Sequence, residues 1–260
     1  MMSRENDGKR EGVRVSVITV CLNAADTIGR TIESVLSQTY EGPYEYIIKD
    51  GGSTDDTLKI AESYKESFLE KGLDYRIESF PDSGIYDAMN QGIDLATGEL
   101  IGIINADDIY EKDCLKIVVE RYESTGFDLC FGDIRMILPS GRTFVKKARL
   151  RRYTTSRDWN HPTQFVTKKT YGRFRFRCLN ISDDMDLYFA VKKSGAKIEV
   201  IGEVLADFTM GGVSSKIPLS EIPERISRRY EVYRHNGYSR AYIFECVAFE
   251  LIKYLGARFG

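Results

Sequence analysis

The sequence predicts an α/β fold, a mostly parallel central sheet flanked by helices. Two observations predict it. Over the first hundred residues, β-branched runs alternate with segments whose apolar residues recur at helical spacing, and this βαβαβαβ order gives parallel strands with right-handed crossovers. Each of the four strands also ends on polar residues: Thr19 and Asn23, then Asp50, then Asp82, then Asp107 and Asp108. Parallel strands point their carboxyl ends the same way, and ligands of such sheets bind outside those ends.

The elements follow in order. Val13, Val15, Val17, Ile18 and Val20 read as a buried first strand. Asn23 or Asp26 is placed to cap a helix in which Ile28, Ile32, Val35 and Leu36 share one face. A second strand over Tyr44 to Lys49 closes on Asp50-Gly51-Gly52. Ser53 and Asp56 have the spacing of a capping box, and Leu58, Ala61, Tyr64 and Phe68 continue as one helical face. A third strand over Tyr75 to Phe80 precedes Ser83-Gly84, which opens a helix bearing Ile85, Ala88, Met89, Gly92 and Ile93. Thr97-Gly98 stops it, and Leu100 to Ile104 runs as the fourth strand into Asn105-Ala106-Asp107-Asp108.

Paired carboxylates ending a buried strand are costly unless a cation neutralises them. Few basic residues lie nearby, so Asp107 and Asp108 suit a hard divalent ion such as Mg²⁺ or Mn²⁺, which prefers oxygen ligands. The structural alternative is a helix N-cap, where Asp is favoured. Asp50-Gly51-Gly52 has a plain alternative as a turn, and Asp82 and Asn90 as caps.

Composition narrows the function classes. The chain of 260 residues carries 37 basic and 39 acidic residues, a net charge of -2, so nothing global points to nucleic acid. Five scattered Cys (21, 114, 130, 178 and 246) form no close pair, which suits a reducing cytosol and offers no disulfide framework or zinc site. Two His, His161 and His235, exclude a His-rich metal site. Residues 1–12 read as a polar, disordered lead-in and not a signal peptide, and no run is long and apolar enough for a membrane span. Neither a dinucleotide glycine fingerprint nor a P-loop is present.

Taken in sequence, Val17 to Asn23, Thr31 to Tyr40, Lys49 to Thr57, Ser83 to Gly92, Ala96 to Glu99 and Asn105 to Asp108 are similar to the motifs of the inverting family 2 glycosyltransferases. The resemblance spans residues 13 to 215 and implies the GT-A fold. It implies a nucleotide-sugar half over 13–108, an acceptor half of the same domain over 109–215 and a helical tail over 216–260. Thr19 and Asn23 then lie beside the base and ribose, Asp50 accepts a hydrogen bond from the base, and Asp82 and Asn90 border the donor pocket. Asp107 falls near the ribose and the metal, and Asp108 is the direct ligand of Mn²⁺ or Mg²⁺. Asn105 departs from the family pattern, where many relatives carry Asp.

The rhythm changes after Asp108. Asp128 to Leu138 and Thr143 to Lys146 form a hairpin around Pro139 to Arg142, Asp183 begins a helix through Lys193, and Lys197 to Ile201 is a further strand. By the resemblance Asp184 is the catalytic base, with Asp183 and Asp186 as first-turn acids favoured by the helix dipole. His161 either lines the acceptor pocket or is a hydrogen-bonded structural residue, and Trp159 either stacks on a sugar or packs. Gly211-Gly212-Val213-Ser214 reads as a loop over the donor or as a turn. The basic stretches 146–152 and 173–177 are a solvated face or a surface for anionic lipid head groups or a lipid-diphosphate acceptor. The apolar-rich helix over 242–255 lies on a membrane surface or docks onto its own domain.

The resemblance implies transfer from a nucleotide-sugar, most simply UDP-linked, to a glycan or lipid-linked acceptor. It further implies cell-surface polysaccharide or lipopolysaccharide assembly, in the cytoplasm or on the cytoplasmic face of the inner membrane. The competing classes are a sugar-phosphate nucleotidyltransferase and a non-catalytic derivative of the fold. The first wants a basic Gly-rich loop where Cys21 to Asp26 stands; the second has no need of Asp50, Asp107, Asp108 and Asp184 together.

Overall fold

The computed structural model describes residues 11–155, 157–179, 182–210 and 219–259. Strands β1 (Val15–Cys21), β2 (Tyr44–Asp50), β3 (Asp74–Ser79) and β4 (Leu100–Asn105) are parallel, as their alternation with helices requires. Cys21 pairs with Asp50 and Asp50 with Ser79, so three strands end level, and Asn105 stands beside Val20. This register gathers the strand ends into one rim.

Helices α1 (Ile28–Leu36), α2 (Thr57–Ser63) and α3 (Lys65–Glu70) bury one apolar layer with Val15, Val17, Ile48 and Leu100. Helix α4 (Ile85–Leu95) belongs to a second layer with Ile18, Ile47 and Ile103. It approaches β1 so closely that a Cβ on Gly92 would stand 2.6 Å from Ile18 Cγ2, so no larger residue fits there.

The second half departs from the parallel pattern. Its elements are β5 (Ile109–Tyr110), α5 (Cys114–Thr125), β6 (Leu129–Ile137), β7 (Thr143–Lys146), β8 (Phe165–Thr167), α6 (Lys168–Tyr171), α7 (Asp183–Lys193) and β9 (Ile198–Thr209). Strand β8 inserts antiparallel between β4 and β6, while β9 runs parallel to β6. Among the described residues the sheet has nine strands in the order β3-β2-β1-β4-β8-β6-β9-β5, with β7 hairpinned onto β6. The sheet as a whole is therefore mixed, with its parallel half at the amino-terminal end.

Several local expectations are corrected. Thr27, not Asn23 or Asp26, stands at the α1 N-cap, because Asn23 is committed to another turn. The single helix expected through Phe68 breaks at Tyr64 into α2 and α3. Ser53 makes no capping box, since its hydroxyl donates to Asp50, and Asp55 Oδ1 instead accepts from the Thr57 N–H. Strand β9 continues to Thr209, well past Ile201, with two register shifts beside Asp133. The Gly211 to Ser214 loop lies outside the described residues.

Helices α8 (Ile222–His235) and α9 (Tyr242–Phe259) close the chain. Of the two courses open to the apolar tail, α9 takes docking: Tyr242 stacks on Tyr153 and Tyr233, with ring centroids 4.8 and 4.3 Å away, and Cys246 is fully buried. Phe244, Leu251 and Ile252 stay exposed. No helix among the described residues is long and apolar enough to cross a membrane.

Candidate active site

At the carboxyl ends of β1 to β3 the rim is a hydrogen-bond lattice. Asn23 takes a left-handed φ of 51°, which Asn tolerates through local hydrogen bonding. From there its Oδ1 accepts from Thr54 N–H at 2.8 Å while its own N–H donates to Ser53 Oγ at 2.7 Å. Asp50 is fully buried, and both its oxygens are in use. Oδ2 accepts from Gly52 N–H, Ser53 N–H and Ser79 Oγ at 2.9, 2.9 and 2.7 Å, and Oδ1 from Ser53 Oγ at 2.5 Å. Burial alone would raise this carboxyl, but those donors outweigh it and hold Asp50 below the usual carboxylate range.

Asp82 and the buried Lys49 form a second knot. Lys49 Nζ donates to the Asp50 and Phe80 carbonyls at 2.7 and 2.6 Å and lies 3.4 Å from Asp82 Oδ2. Asp82 Oδ1 accepts from Gly84 N–H at 3.0 Å, fixing the entry to α4. Thr19 lies deeper than expected: it is fully buried and its hydroxyl accepts from Tyr46 at 2.9 Å, so it supports the rim from beneath. Asn90 faces the other half of the chain, clamping Phe176 through its carbonyl (2.8 Å) and its N–H (3.2 Å). Leu22, beside Gly51, is 60% exposed at the rim and escaped notice because a lone Leu carries no polar signal.

Asp107 and Asp108 differ sharply in their surroundings. Asp107 is half-buried, whereas Asp108 is fully buried with Oδ1 lacking a hydrogen-bond partner among the described residues. Asn105 Nδ2 reaches Asp108 Oδ2 at 3.3 Å, but Asn105 Oδ1 is likewise unpartnered. Burial first, then the Asp107 charge, push the Asp108 carboxyl well above its usual value, against the Asn105 amide. Unsatisfied buried oxygens beside a second carboxylate fit a hard divalent cation. Among the described residues no three His, Cys, Asp or Glu side chains converge on one point. The donor set is thus sparse, as suits Mg²⁺ or Mn²⁺, which keeps waters and takes substrate phosphates.

A cavity of about 300 Å³ is lined by residues of β6, β7, α7 and the tail helices α8 and α9. Of the three acids that open α7, only Asp184 lines it. Asp183 Oδ2 accepts from Leu179 N–H at 2.6 Å, and Asp186 Oδ1 from Asn236 Nδ2 at 2.6 Å, so each is engaged within the protein. Burial raises the Asp184 carboxyl above its ordinary range, while His161, the Met185 N–H, the Tyr86 hydroxyl and Arg229 oppose the rise. Tyr86, from the first turn of α4, therefore bonds the carboxylate from the far half of the molecule.

His161 sits in a 3₁₀ turn (His161–Thr163) at the cavity wall, and neither ring nitrogen has a partner among the described residues. Burial lowers its pKa, and Asp184 pulls the other way, so the ring is neutral at pH 7. Trp159 also lines the cavity, but one face is stacked on Tyr188 at 5.4 Å and 3°, and Nε1 donates to Gln164 Oε1 at 2.6 Å. It packs, and only its remaining surface is offered to a ligand. Lys146, Arg225, Arg229 and Lys253 complete the polar wall, and the last three come from the tail, where a pattern of charges on two helices gave no sign of a site. Half of the eight cations of the two basic stretches pair with acids of the same chain instead: Lys147 with Asp133, Arg151 with Asp158, Arg175 with Asp94 and Arg177 with Asp186.

The architecture is that of GT-A glycosyltransferases. It overlays Staphylococcus aureus TarS 1–349 in complex with UDP-GlcNAc at a TM-score of 0.63, with 20% identity, covering 94% of this chain and 73% of that one. The Pyrobaculum calidifontis mannosyltransferase PcManGT, solved with GDP-Man and Mn2+, gives 0.66 at 16% identity, covering 95% and 74%. Residues 16–194 match the model of Glycosyl transferase family 2, and the chain belongs to that family. A PGL/p-HBAD biosynthesis glycosyltransferase of Mycobacterium bovis is 39% identical over 123 residues, 46% of each chain. The glycosyltransferase AglE of Haloferax volcanii is 31% identical over 134 residues, 51% of this chain and 43% of AglE. The chain thus spans about half the length of the curated relatives it matches.

Proposed function

We propose that the protein is an inverting, divalent-metal-dependent glycosyltransferase that moves a sugar from a UDP-sugar to a hydroxyl of a glycan or lipid-linked acceptor. Its place is cell-surface polysaccharide or lipopolysaccharide assembly on the cytoplasmic side of the membrane. The observation that carries the reading is Asp184: a carboxylate raised by burial, facing an open cavity, and tied by Tyr86 to the half of the chain that holds the strand-end rim.

Inversion takes one in-line displacement at the anomeric carbon and so needs one base and no carboxylate nucleophile. Asp184 takes the proton from the acceptor hydroxyl, and its raised pKa makes it a stronger base than a solvated Asp. Met185 N–H, 2.7 Å from Oδ1, and the Tyr86 hydroxyl fix its orientation. His161, with neither nitrogen partnered among the described residues, orients the hydroxyl beside it. Asp108, with Asp107 and Asn105 Oδ1, would hold the divalent ion, which when bound offsets the charge developing on the departing diphosphate. Asn23, Asp50 and Asp82 shape the nucleotide pocket, with Leu22 against the base. For Asp50 to meet a base N–H, the Ser53 or Ser79 hydroxyl must rotate off its carboxylate. Thr19 and Asn90 serve as supports beneath and beside that pocket.

Calorimetric titration of UDP, GDP and TDP, with Mn²⁺ and then with EDTA, tests the reading. UDP binding that needs Mn²⁺ and is lost in Asp108→Ala is the expected result. Absence of binding by every nucleoside diphosphate would overturn it.

A further inference from the structure

The tail helices build a cationic wall that the transfer chemistry does not use. Arg225 and Arg229 stand one turn apart on α8, and Glu250 of α9, 1% exposed, holds both. Its Oε2 accepts from Arg225 Nε at 3.2 Å, and its Oε1 from Arg229 Nε and Nη2 at 3.2 and 3.0 Å. One carboxylate thereby positions two guanidinium forks at 15% and 11% exposure. Lys253, a turn beyond Glu250, and Lys146 of β7 line the same cavity. Among the described residues these four cations face three carboxylates, Asp158 and Asp184 about Lys146 and Glu250 between the two arginines.

Half-buried cations in excess of their counterions repel one another at low dielectric and are costly to keep unless an anion joins them. Burial, Arg225 and Arg229 lower the Lys253 ammonium against the pull of Glu250. Two forks set side by side match a multi-oxygen anion better than a single carboxylate. The wall belongs to the acceptor side, because Asp184 and His161 line this cavity and Asp50, Asp82, Asp107 and Asp108 do not. Phe208 and Phe249 give it an apolar flank, with the Arg229 guanidinium 3.9 Å over the Phe249 ring.

We infer that the acceptor is a phosphate ester, its phosphoryl group held by Arg225, Arg229 and Lys253 while its hydroxyl reaches Asp184. The inference rests on the reading of Asp184 as the base of a transferase. The tail is then part of the substrate site and selects acceptors by charge.

Trp159 is the sole tryptophan and lines the cavity, so its emission reports on the occupant directly. Farnesyl phosphate, farnesol, glucose 1-phosphate and glucose are titrated into the full chain in EDTA, with calorimetry in parallel. A phosphate ester should bind at least about tenfold more tightly than its uncharged counterpart. Preference for farnesyl phosphate assigns a lipid source, and preference for glucose 1-phosphate a sugar-phosphate source. Arg225→Gln should weaken the phosphate ester about tenfold and leave Mn²⁺-dependent UDP binding within twofold. Lys253→Gln, which leaves the Glu250 clamp intact, should weaken it in the same sense if Arg225→Gln fails to fold. Equal binding of charged and uncharged probes, or variants that bind the esters normally, would overturn the inference while UDP binding stands. Loss of UDP binding in the variants would also overturn it, by giving the cations to the leaving diphosphate. Wild-type protein that binds no nucleotide would instead overturn the transferase reading.

Discussion

The strand-end rim and the cavity are both polar, yet they are built in opposite ways. In the rim the groups at the ends of β1 to β3 answer one another: Asn23 answers Ser53 and Thr54, Asp50 answers three residues, and Asp82 answers Lys49, while only Asp108 and Asn105 at the end of β4 keep an unpartnered oxygen each among the described residues. In the cavity the groups are left waiting: among the described residues His161 has two unpartnered nitrogens, and four cations face three acids. A satisfied lattice is rigid and keeps one shape. An unsatisfied wall costs stability and recovers it only when a ligand arrives. On the proposed function, the difference teaches that preorganisation lies on the nucleotide side and affinity is held in reserve on the acceptor side.

The largest break in that contrast comes from the cavity. Asp184→Asn should lower transfer by about 10²–10⁴-fold, the usual worth of a general base, and leave nucleotide binding unchanged. Rapid quench of donor turnover, with calorimetry of UDP, reads both halves; normal turnover would remove Asp184 from the mechanism. The rim should respond in stability. Asp50→Ala strands the Gly52 and Ser53 N–H groups and should cost roughly 2–4 kcal/mol in urea unfolding. Because Asp50 is held below its ordinary value, its contribution is present above the unfolded-chain pKa and is lost as pH falls through the folded one. Acid unfolding should therefore be shallower in Asp50→Asn, and identical acid limbs would show that the lattice contributes nothing.

Tyr86→Phe joins the two regions with a smaller effect. The hydroxyl stabilises ionised Asp184, so its loss raises that carboxyl further. The acidic limb of kcat/KM should move to higher pH while the alkaline limb stays, and an unmoved limb would detach Tyr86 from the base.

How far each region was legible follows from the same contrast. The rim lies in short contiguous stretches, so Asp50-Gly51-Gly52, Ser83-Gly84 and Asn105 to Asp108 marked strand ends by local chemistry alone. Even there, long-range bonds reassigned residues: Ser53 was drawn from a capping box to Asp50, Thr19 went under Tyr46, and Asn90 turned to Phe176. The helix break at Tyr64 carries no Gly or Pro and left no trace in the pattern. The cavity draws on residues from Ile134 to Lys253, brought together by the β6–β9 pairing and the packing of α8 on α9. Asp184 and His161 were singled out by the family resemblance, but Arg225, Arg229 and Lys253 are ordinary helix cations until Glu250 orders two of them.

The smallest expected effect sharpens the boundary between scaffold and site. Trp159 stacks on Tyr188 and bonds Gln164, so Trp159→Phe keeps an aromatic face there and loses one hydrogen bond. Stranding Gln164 should cost roughly 1–2 kcal/mol, read as a lower midpoint in thermal unfolding. Acceptor KM should stay within a few fold, because the ring face that would carry a sugar is already covered by Tyr188. A KM raised tenfold or more at unchanged stability would mean that the exposed remainder of the indole grips the acceptor. Trp159 would then belong with His161 among the waiting groups of the cavity, not with the closed packing behind it.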